Sequence, residues 1–253
     1  MIEDIVVEKK KSFYESWTFV ILVCVILPIC FRAVLYSPRH IPSSSMKSTL
    51  LIGDYIFISK FAYGFSSYSF PLGYKFHYFD GRIGGNKPQR GDIIVFRPAN
   101  DPSIDFIKRL IGLPGDRIQM RGGRLYLNGA LIPQRRIEDF LDEQPVGGVV
   151  PIKRYIETLP NGVSYEVLDE FEGAQADDTK EFVVPEGNYF FMGDNRDNSS
   201  DSRLTVGYVP EENLIGKAEV IFFSNKSKFL RIWEWLVSFR GERFLIDLTK
   251  NHD

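Results

Sequence analysis

One run of apolar residues divides this chain into two physical regimes. Residues 17 to 31 read WTFVILVCVILPICF, and after Arg32 the run continues AVLYS, which makes about 20 residues if the arginine snorkels to an interface. That length suits one helix through a bilayer. A cleaved secretory signal needs a shorter apolar region ending in a small-x-small site, and Pro28, Cys30 and Arg32 stand where that cut would fall. We therefore read residues 17–36 as a transmembrane anchor, preceded by an N-terminal segment, 1–16. Pro28 removes one backbone hydrogen bond near the far end, which a helix in lipid tolerates. Charge alone leaves the orientation open. Lys9, Lys10 and Lys11 favour a cytoplasmic N-terminus, whereas Arg32 and Arg39 weigh on the other side.

Past Tyr36 the pattern changes to short apolar runs, often alternating and separated by Gly, Pro, Asn and Asp, which is the signature of β-structure. GDYIFISKF (53–61), GDIIVFRP (91–98), DFIKRLIGLPGD (105–116) and AEVIFF (218–223) are the strongest strand candidates, too short and too β-branched for buried helices. RIQMRGGRLYLNGALI (117–132) holds Gly122-Gly123 and Asn128-Gly129, pairs that supply the positive φ of tight turns, so two consecutive hairpins are expected. Residues 133–180 are polar and weakly periodic and read as a peripheral, β-rich insertion. They divide the β-structured core into 37–132 and 181–225. The tail, 226–253, carries Phe229, Trp233, Leu236 and Val237 at helical spacing, either lying at a bilayer interface or packed on the sheets. The expected fold is thus mainly β, with antiparallel coiled sheets behind one N-terminal transmembrane helix.

Composition removes several functions. A net charge of −2, from 31 basic and 33 acidic residues, offers no broad basic surface for nucleic acid. Both cysteines, Cys24 and Cys30, lie in the apolar run, so the rest of the chain has neither a disulfide framework nor thiolate ligands. His40, His77 and His252 are far apart and fit no ligand spacing, so no metal site is expected.

Three serines in a row, in IPSSSMKSTL (41–50), pose the chemical question. A serine becomes a nucleophile only when a base takes its proton. No stretch pairs a histidine with a positioned carboxylate. A lysine serves if burial brings its pKa down towards neutrality, and DFIKRLIGL sets Lys108 inside an apolar run. Lys108 is therefore the candidate base, the alternative being an edge-strand lysine whose amine reaches solvent. GDNRDNSSDSR (193–203) is the densest polar stretch. It fails the calcium-loop template, with Arg196 at the third position, Ser199 at the sixth and Thr205 at the twelfth. It is either a self-bonded turn or a layer of side chains supporting another site.

Four blocks in order behind an anchor, IPSSSMKSTLLIGDYIFISKFAYG, RGDIIVF, DFIKRLIGLPGD and GDNRDNSSDSR, closing with GYVPEENLIGKA, resemble the bacterial type I signal peptidases. The resemblance spans residues 41 to 210, ending within that last block, and leaves out 133–180 and the tail. It implies a Ser/Lys-dyad serine endopeptidase in which Ser45, before Met46, is the nucleophile and Lys108 the general base. Ser43 would contribute its hydroxyl to the oxyanion hole beside the backbone N–H of Ser45, and Ser199 would orient the lysine amine. Asp194 with Arg109 and Asp201 with Arg203 would form structural ion pairs near the site. Substrate would lie extended along Asp105 to Lys108 and be cut after small-x-small sites. The pocket walls implied are Ile41, Met46, Leu50, Ile56, Val95, Phe106 and Ile107. The same resemblance implies signal peptides of exported preproteins and the lipid bilayer as partners, no cofactor, a monomer, and a single-pass protein of the bacterial inner membrane with its catalytic domain outside the cytoplasm. Two departures stand out: Ser44 replaces the usual glycine, where positive φ would strain a Cβ, and Ser48 replaces the usual proline. Rival readings are another Ser/Lys protease, such as the self-cleaving SOS repressors, and a non-catalytic membrane-tethered β domain that binds extended peptides.

Overall fold

The computed structural model describes residues 17–70, 72–143, 147–226 and 238–250. A helix, α1 (Trp17–Val34), leads directly into β1 (Tyr36–His40). There follow β2 (Asp54–Ser59), β3 (Phe65–Ser66), α2 (Gly73–Phe76), β4 (Arg82–Ile83), β5 (Ile93–Phe96) and β6 (Phe106–Gly112). Next come β7 (Arg117–Arg121), β8 (Arg124–Leu127), β9 (Ala130–Leu131), β10 (Gln134–Glu143), β11 (Val149–Thr158) and β12 (Ser164–Asp169). The chain then forms β13 (Phe182–Val183), β14 (Asn188–Met192), β15 (Val209–Pro210), β16 (Leu214–Ser224) and β17 (Ile246–Asp247). All four regions read as strands are strands. The two hairpins turn as expected, with φ of 52° and 72° at Gly122 and Gly123, and of 54° and 82° at Asn128 and Gly129.

The main sheet runs β1-β2-β16-β5-β6-β14-β15, every ladder antiparallel. β16 is its organising strand. β2 pairs along one edge of it, while β5 and then β17 take successive lengths of the other. Register shifts between Leu214 and Gly216, Ala218 and Val220, and Ile221 and Phe223 bulge this strand, and bulges increase local twist, so the sheet coils around it. β5 shows why the sheet is buried on both faces. Ile93 and Val95 enter a cluster with Ile41, Met46, Leu50 and Ile56, and Ile94 and Phe96 enter another with Leu110, Phe191 and Leu214. A third cluster joins β7 and β8 to Tyr165 and Val167 of β12 and to Phe190 and Met192 of β14. β12 belongs to the sheet β10-β11-β12 that residues 133–180 form, and through it the insertion packs against the core behind the polar stretch 193–203.

On α1, every residue from Val20 to Leu27 is exposed, although each is apolar. The side chains of Thr18 and of residues 29–34 lie outside the described set, and among the described residues no helix is long and apolar enough to cross a membrane. The N-terminal segment 1–16, expected on the cytoplasmic side, and the expected helical stripe Phe229, Trp233, Leu236 and Val237 also fall outside the described residues.

Candidate active site

β1 delivers the chain to Ser45 through an irregular stretch pinned by Ile41 N–H to the Asp54 carbonyl at 2.9 Å and Gly53 N–H to the Ile41 carbonyl at 3.0 Å. After Ser45 the backbone turns tightly, with Lys47 N–H on the Ser44 carbonyl (3.0 Å) and Leu50 N–H on the Met46 carbonyl (2.7 Å). Ser44 stands outside the positive-φ residues, so its Cβ is accommodated without strain, and its hydroxyl accepts a hydrogen bond from Asn198 Nδ2 at 3.1 Å.

From β6, Lys108 Nζ donates to Ser45 Oγ at 2.7 Å and to the Ile107 carbonyl at 3.0 Å. Both side chains are buried, the lysine 4 % exposed and the serine 7 %. Burial pulls the Lys108 ammonium down to about 8, against the opposing influence of the Asp201 and Asp194 carboxylates. Once neutral, the amine keeps two N–H groups and gains a lone pair. One N–H satisfies the Ile107 carbonyl, and the lone pair is free to accept the proton of Ser45. Ser43 Oγ stands 3.4 Å from Ser45 Oγ, beside the reacting atom.

The polar stretch 193–203 is a buried support and not a surface turn. Asp194 takes a bidentate pair from Arg109 (2.8 and 2.7 Å), and Asp201 takes one from Arg203 (3.0 and 2.9 Å). Asn195 N–H donates to the Ser45 carbonyl at 3.1 Å, tying this loop to the nucleophile's own backbone. Arg196 reaches back to Glu157 of β11, Nη1 to Oε1 at 2.8 Å, with a second contact from Nη2 to Oε2. Ser199 departs from expectation. Its hydroxyl is buried without a hydrogen-bond partner among the described residues and makes no contact with the lysine amine. It does lie close by: a Cβ placed on Gly193 would meet Ser199 Oγ at 2.2 Å and the Ser45 carbonyl oxygen at 2.5 Å, so only glycine fits between them.

A cavity of about 430 Å³ opens along Ser43 to Ser45 and Lys108, between the stretch 39–45 and the strand edge 104–108. Ile41, Ile56, Val95, Phe106 and Ile107 give it apolar walls. Met46 and Leu50 do not line it. They are 1 % and 0 % exposed and lie behind the wall in the core, because the tight turn after Ser45 folds them inward. Asp105 spends its carboxylate on Arg39 across the groove and on Arg97, both at 3.0 Å, so it closes one end of the cavity by an ion pair. His40 lines the cavity whereas His77 and Cys24 do not, and among the described residues no cluster of metal-ligating side chains exists.

Several contributors escaped the sequence reading. Thr49, whose Oγ1 donates to Asp194 Oδ2 at 2.5 Å, and Tyr165, whose ring lies 4.2 Å beneath the Arg109 guanidinium, gave no local signal. Asn198 and Arg196 lay within the stretch singled out for its polarity.

Comparisons with known proteins identify the family. The family model described as "Signal peptidase, peptidase S26" matches residues 14–223. The chain belongs to the signal peptidase family, peptidase S26. Members are serine endopeptidases, and the chain is accordingly a hydrolase. Signal peptidase I of Rickettsia prowazekii (strain Madrid E) is 40% identical over 265 residues, covering 98% of each chain. That of Rickettsia akari (strain Hartford) is 41% identical over 256 residues, covering 94% of each. The crystal structure of a signal peptidase I from Enterococcus faecalis V583 shares 31% identity over 52% of this chain and 97% of its own, with a TM-score of 0.31.

Proposed function

We propose that this signal peptidase removes N-terminal signal peptides from exported preproteins, with Ser45 as nucleophile and Lys108 as general base. The observation that carries the reading is the 2.7 Å contact between Lys108 Nζ and Ser45 Oγ at the floor of an apolar groove. The cleavage segment lies extended between the stretch 39–45 and the edge 105–108, held by backbone hydrogen bonds as an added strand. Neutral Lys108 takes the proton of Ser45, whose Oγ bonds to the scissile carbonyl carbon. The oxyanion that forms is stabilised by Ser43 Oγ and the Ser45 N–H, donors worth about 2.7 to 4 kcal/mol each in such sites. The protonated lysine then returns its proton to the leaving amine, leaving an acyl-enzyme, and deprotonates the water that hydrolyses it. No cofactor takes part. Shallow apolar walls favour small residues one and three positions before the cut, hence Ala-x-Ala. Ser199 stays in this scheme as a buried neighbour of the dyad, and the pairs Asp194/Arg109 and Asp201/Arg203 as its frame.

The helix α1, exposed and apolar on all sides along Val20 to Leu27 and continued by an apolar sequence to Tyr36, supports a single-pass anchor over 17–36. We place the catalytic core (37–132 and 181–225) outside the cytoplasm of a bacterium, at the inner membrane, as a monomer. The test is cleavage of a preprotein with an Ala-x-Ala site by the detergent-solubilised full chain. Ser45→Ala and Lys108→Ala should both abolish cutting, Ser43→Ala should slow it, and Ser44→Ala should be mild. Cutting by Ser45→Ala, or an inert wild type on several preproteins, would overturn the assignment in favour of a peptide-binding domain.

A further inference from the structure

The turn that carries Ser45 is held from two sides through one residue, Thr49. Its hydroxyl donates to Asp194 Oδ2 at 2.5 Å, and the same carboxylate is gripped by Arg109, the residue after Lys108. Its carbonyl accepts a hydrogen bond from Arg243 Nη2 at 2.8 Å. Arg243 belongs to the last described segment, 238–250, far from Ser45 in sequence. The same guanidinium pairs with Asp54, Nη2 to Oδ2 at 2.6 Å and Nε to Oδ1 at 3.0 Å. Asp54 is fully buried, and it closes the end of the turn by accepting from Leu51 N–H at 2.8 Å and from the Ser224 hydroxyl at 2.6 Å. β17 fixes this segment on β16, and Leu248 packs against the cluster that contains Ile41, Met46 and Leu50.

We propose that segment 238–250 is a positioning device for the nucleophile, and that Arg243 sets the separation of Ser45 and Lys108 by holding Thr49. The proposal rests on the Ser45/Lys108 reading. Ser45 stands at the start of this tight turn, and Arg243 holds its other end. A shift at Thr49 therefore moves Ser45 Oγ relative to Lys108. Misplacement by about 1 Å at a reacting centre costs roughly 100-fold in rate. Arginine suits the pair of partners better than lysine, since its planar fork holds the Asp54 carboxylate through two nitrogens while Nη2 also reaches the Thr49 carbonyl.

The experiment compares full-chain wild type with Arg243→Ala, Arg243→Lys and Thr49→Val on a preprotein substrate, with kcat, KM and the pH profile measured and folding checked by thermal unfolding. Ser45→Ala and Lys108→Ala run alongside. If either of them cuts, the dyad reading fails; if both are inert, the Arg243 and Thr49 results judge the present proposal alone. Arg243→Ala should lower kcat at least tenfold with KM within about twofold. Its acid limb should move to higher pH, because a loosened turn admits water to Lys108 while Asp194 and Asp201 remain nearby to favour the ammonium. Arg243→Lys should recover part of kcat, and Thr49→Val should lose it from the other side. A folded Arg243→Ala enzyme with wild-type kcat and acid limb overturns the proposal. Should that variant not fold, Arg243→Lys and Thr49→Val decide in the same way, and wild-type kcat and pH profile in both overturn it.

Discussion

Lys108 loses its proton near pH 8 in the folded chain, against 10.5 in solution, because burial disfavours the ammonium more than Asp201 and Asp194 favour it. For a general base this places only roughly a tenth of the enzyme in the competent state at pH 7. kcat/KM should therefore climb about tenfold per pH unit below pH 8 and level off above it. A profile flat from pH 6 to pH 9 would remove Lys108 from the proton transfer. The same shift acts on stability with a definite sign. Between pH 8 and 10.5 the unfolded chain still holds the proton that the folded chain has released, so stability rises with pH across that window. Below it the burial penalty, on the order of 3 kcal/mol, is fully present. Lys108→Met should accordingly raise the unfolding free energy at pH 7 by about 2 to 3 kcal/mol, with the gain fading towards pH 10.5, as read by urea unfolding at several pH values. In the sequence the run FIKRLIGL made Lys108 a candidate but suited an edge-strand lysine with a solvated amine as well, and only the resemblance of the four blocks singled it out as a base. The expected Ser199 contact with that amine was not met, because a motif fixes which residue stands beside the site and not the direction in which its hydroxyl points.

Among the elements, the polar stretch 193–203 shows where local reading stopped. Its composition suited a surface turn and a buried support equally, since the groups that decide the matter are distant in sequence. Glu157 lies 39 residues before Arg196, and Tyr165 lies 31 before it. Both come from the insertion, whose weak periodicity gave no sign that β11 and β12 reach the back of the site. Hairpins were the opposite case, because Gly122-Gly123 and Asn128-Gly129 carry their turn geometry in the residues themselves. Arg196 and Glu157 are both buried, so removing one charge strands the other in a dry environment. Glu157→Ala should lower stability by about 3 to 5 kcal/mol in denaturant unfolding. Because Arg196 N–H also bonds to the Leu168 carbonyl and the adjacent Asn195 N–H to that of Ser45, kcat should fall with it. A loss below about 1 kcal/mol would mean that the pair is effectively solvated.

At the scale of the molecule, the sequence separated an apolar run from a β-structured body, and strand identity followed from alternation and turn residues. Strand order did not, because β16 enters between β2 and β5 from the far end of the chain, a pairing that no local pattern records. The apolar run raises the remaining physical question of what solvates α1. Water is a poor answer for a helix whose residues from Val20 to Leu27 are all apolar and all exposed, and a bilayer is a good one. At about 1.5 Å per residue, the 18 residues of α1 reach about 27 Å, near the thickness of a hydrocarbon core. On the single-pass reading proposed above, insertion of α1 depends on the hydrophobicity of its middle. An aspartate there costs about 2.5 to 3.5 kcal/mol, so Val23→Asp and Ile26→Asp together should shift the full chain from membrane to supernatant on alkaline extraction. The detergent-solubilised double variant should still cut a preprotein, since among the described residues none of α1 lines the groove. Wild-type chain released by alkaline extraction would show that α1 is covered by something other than lipid. Retention of the double variant would place the membrane contact elsewhere on the molecule.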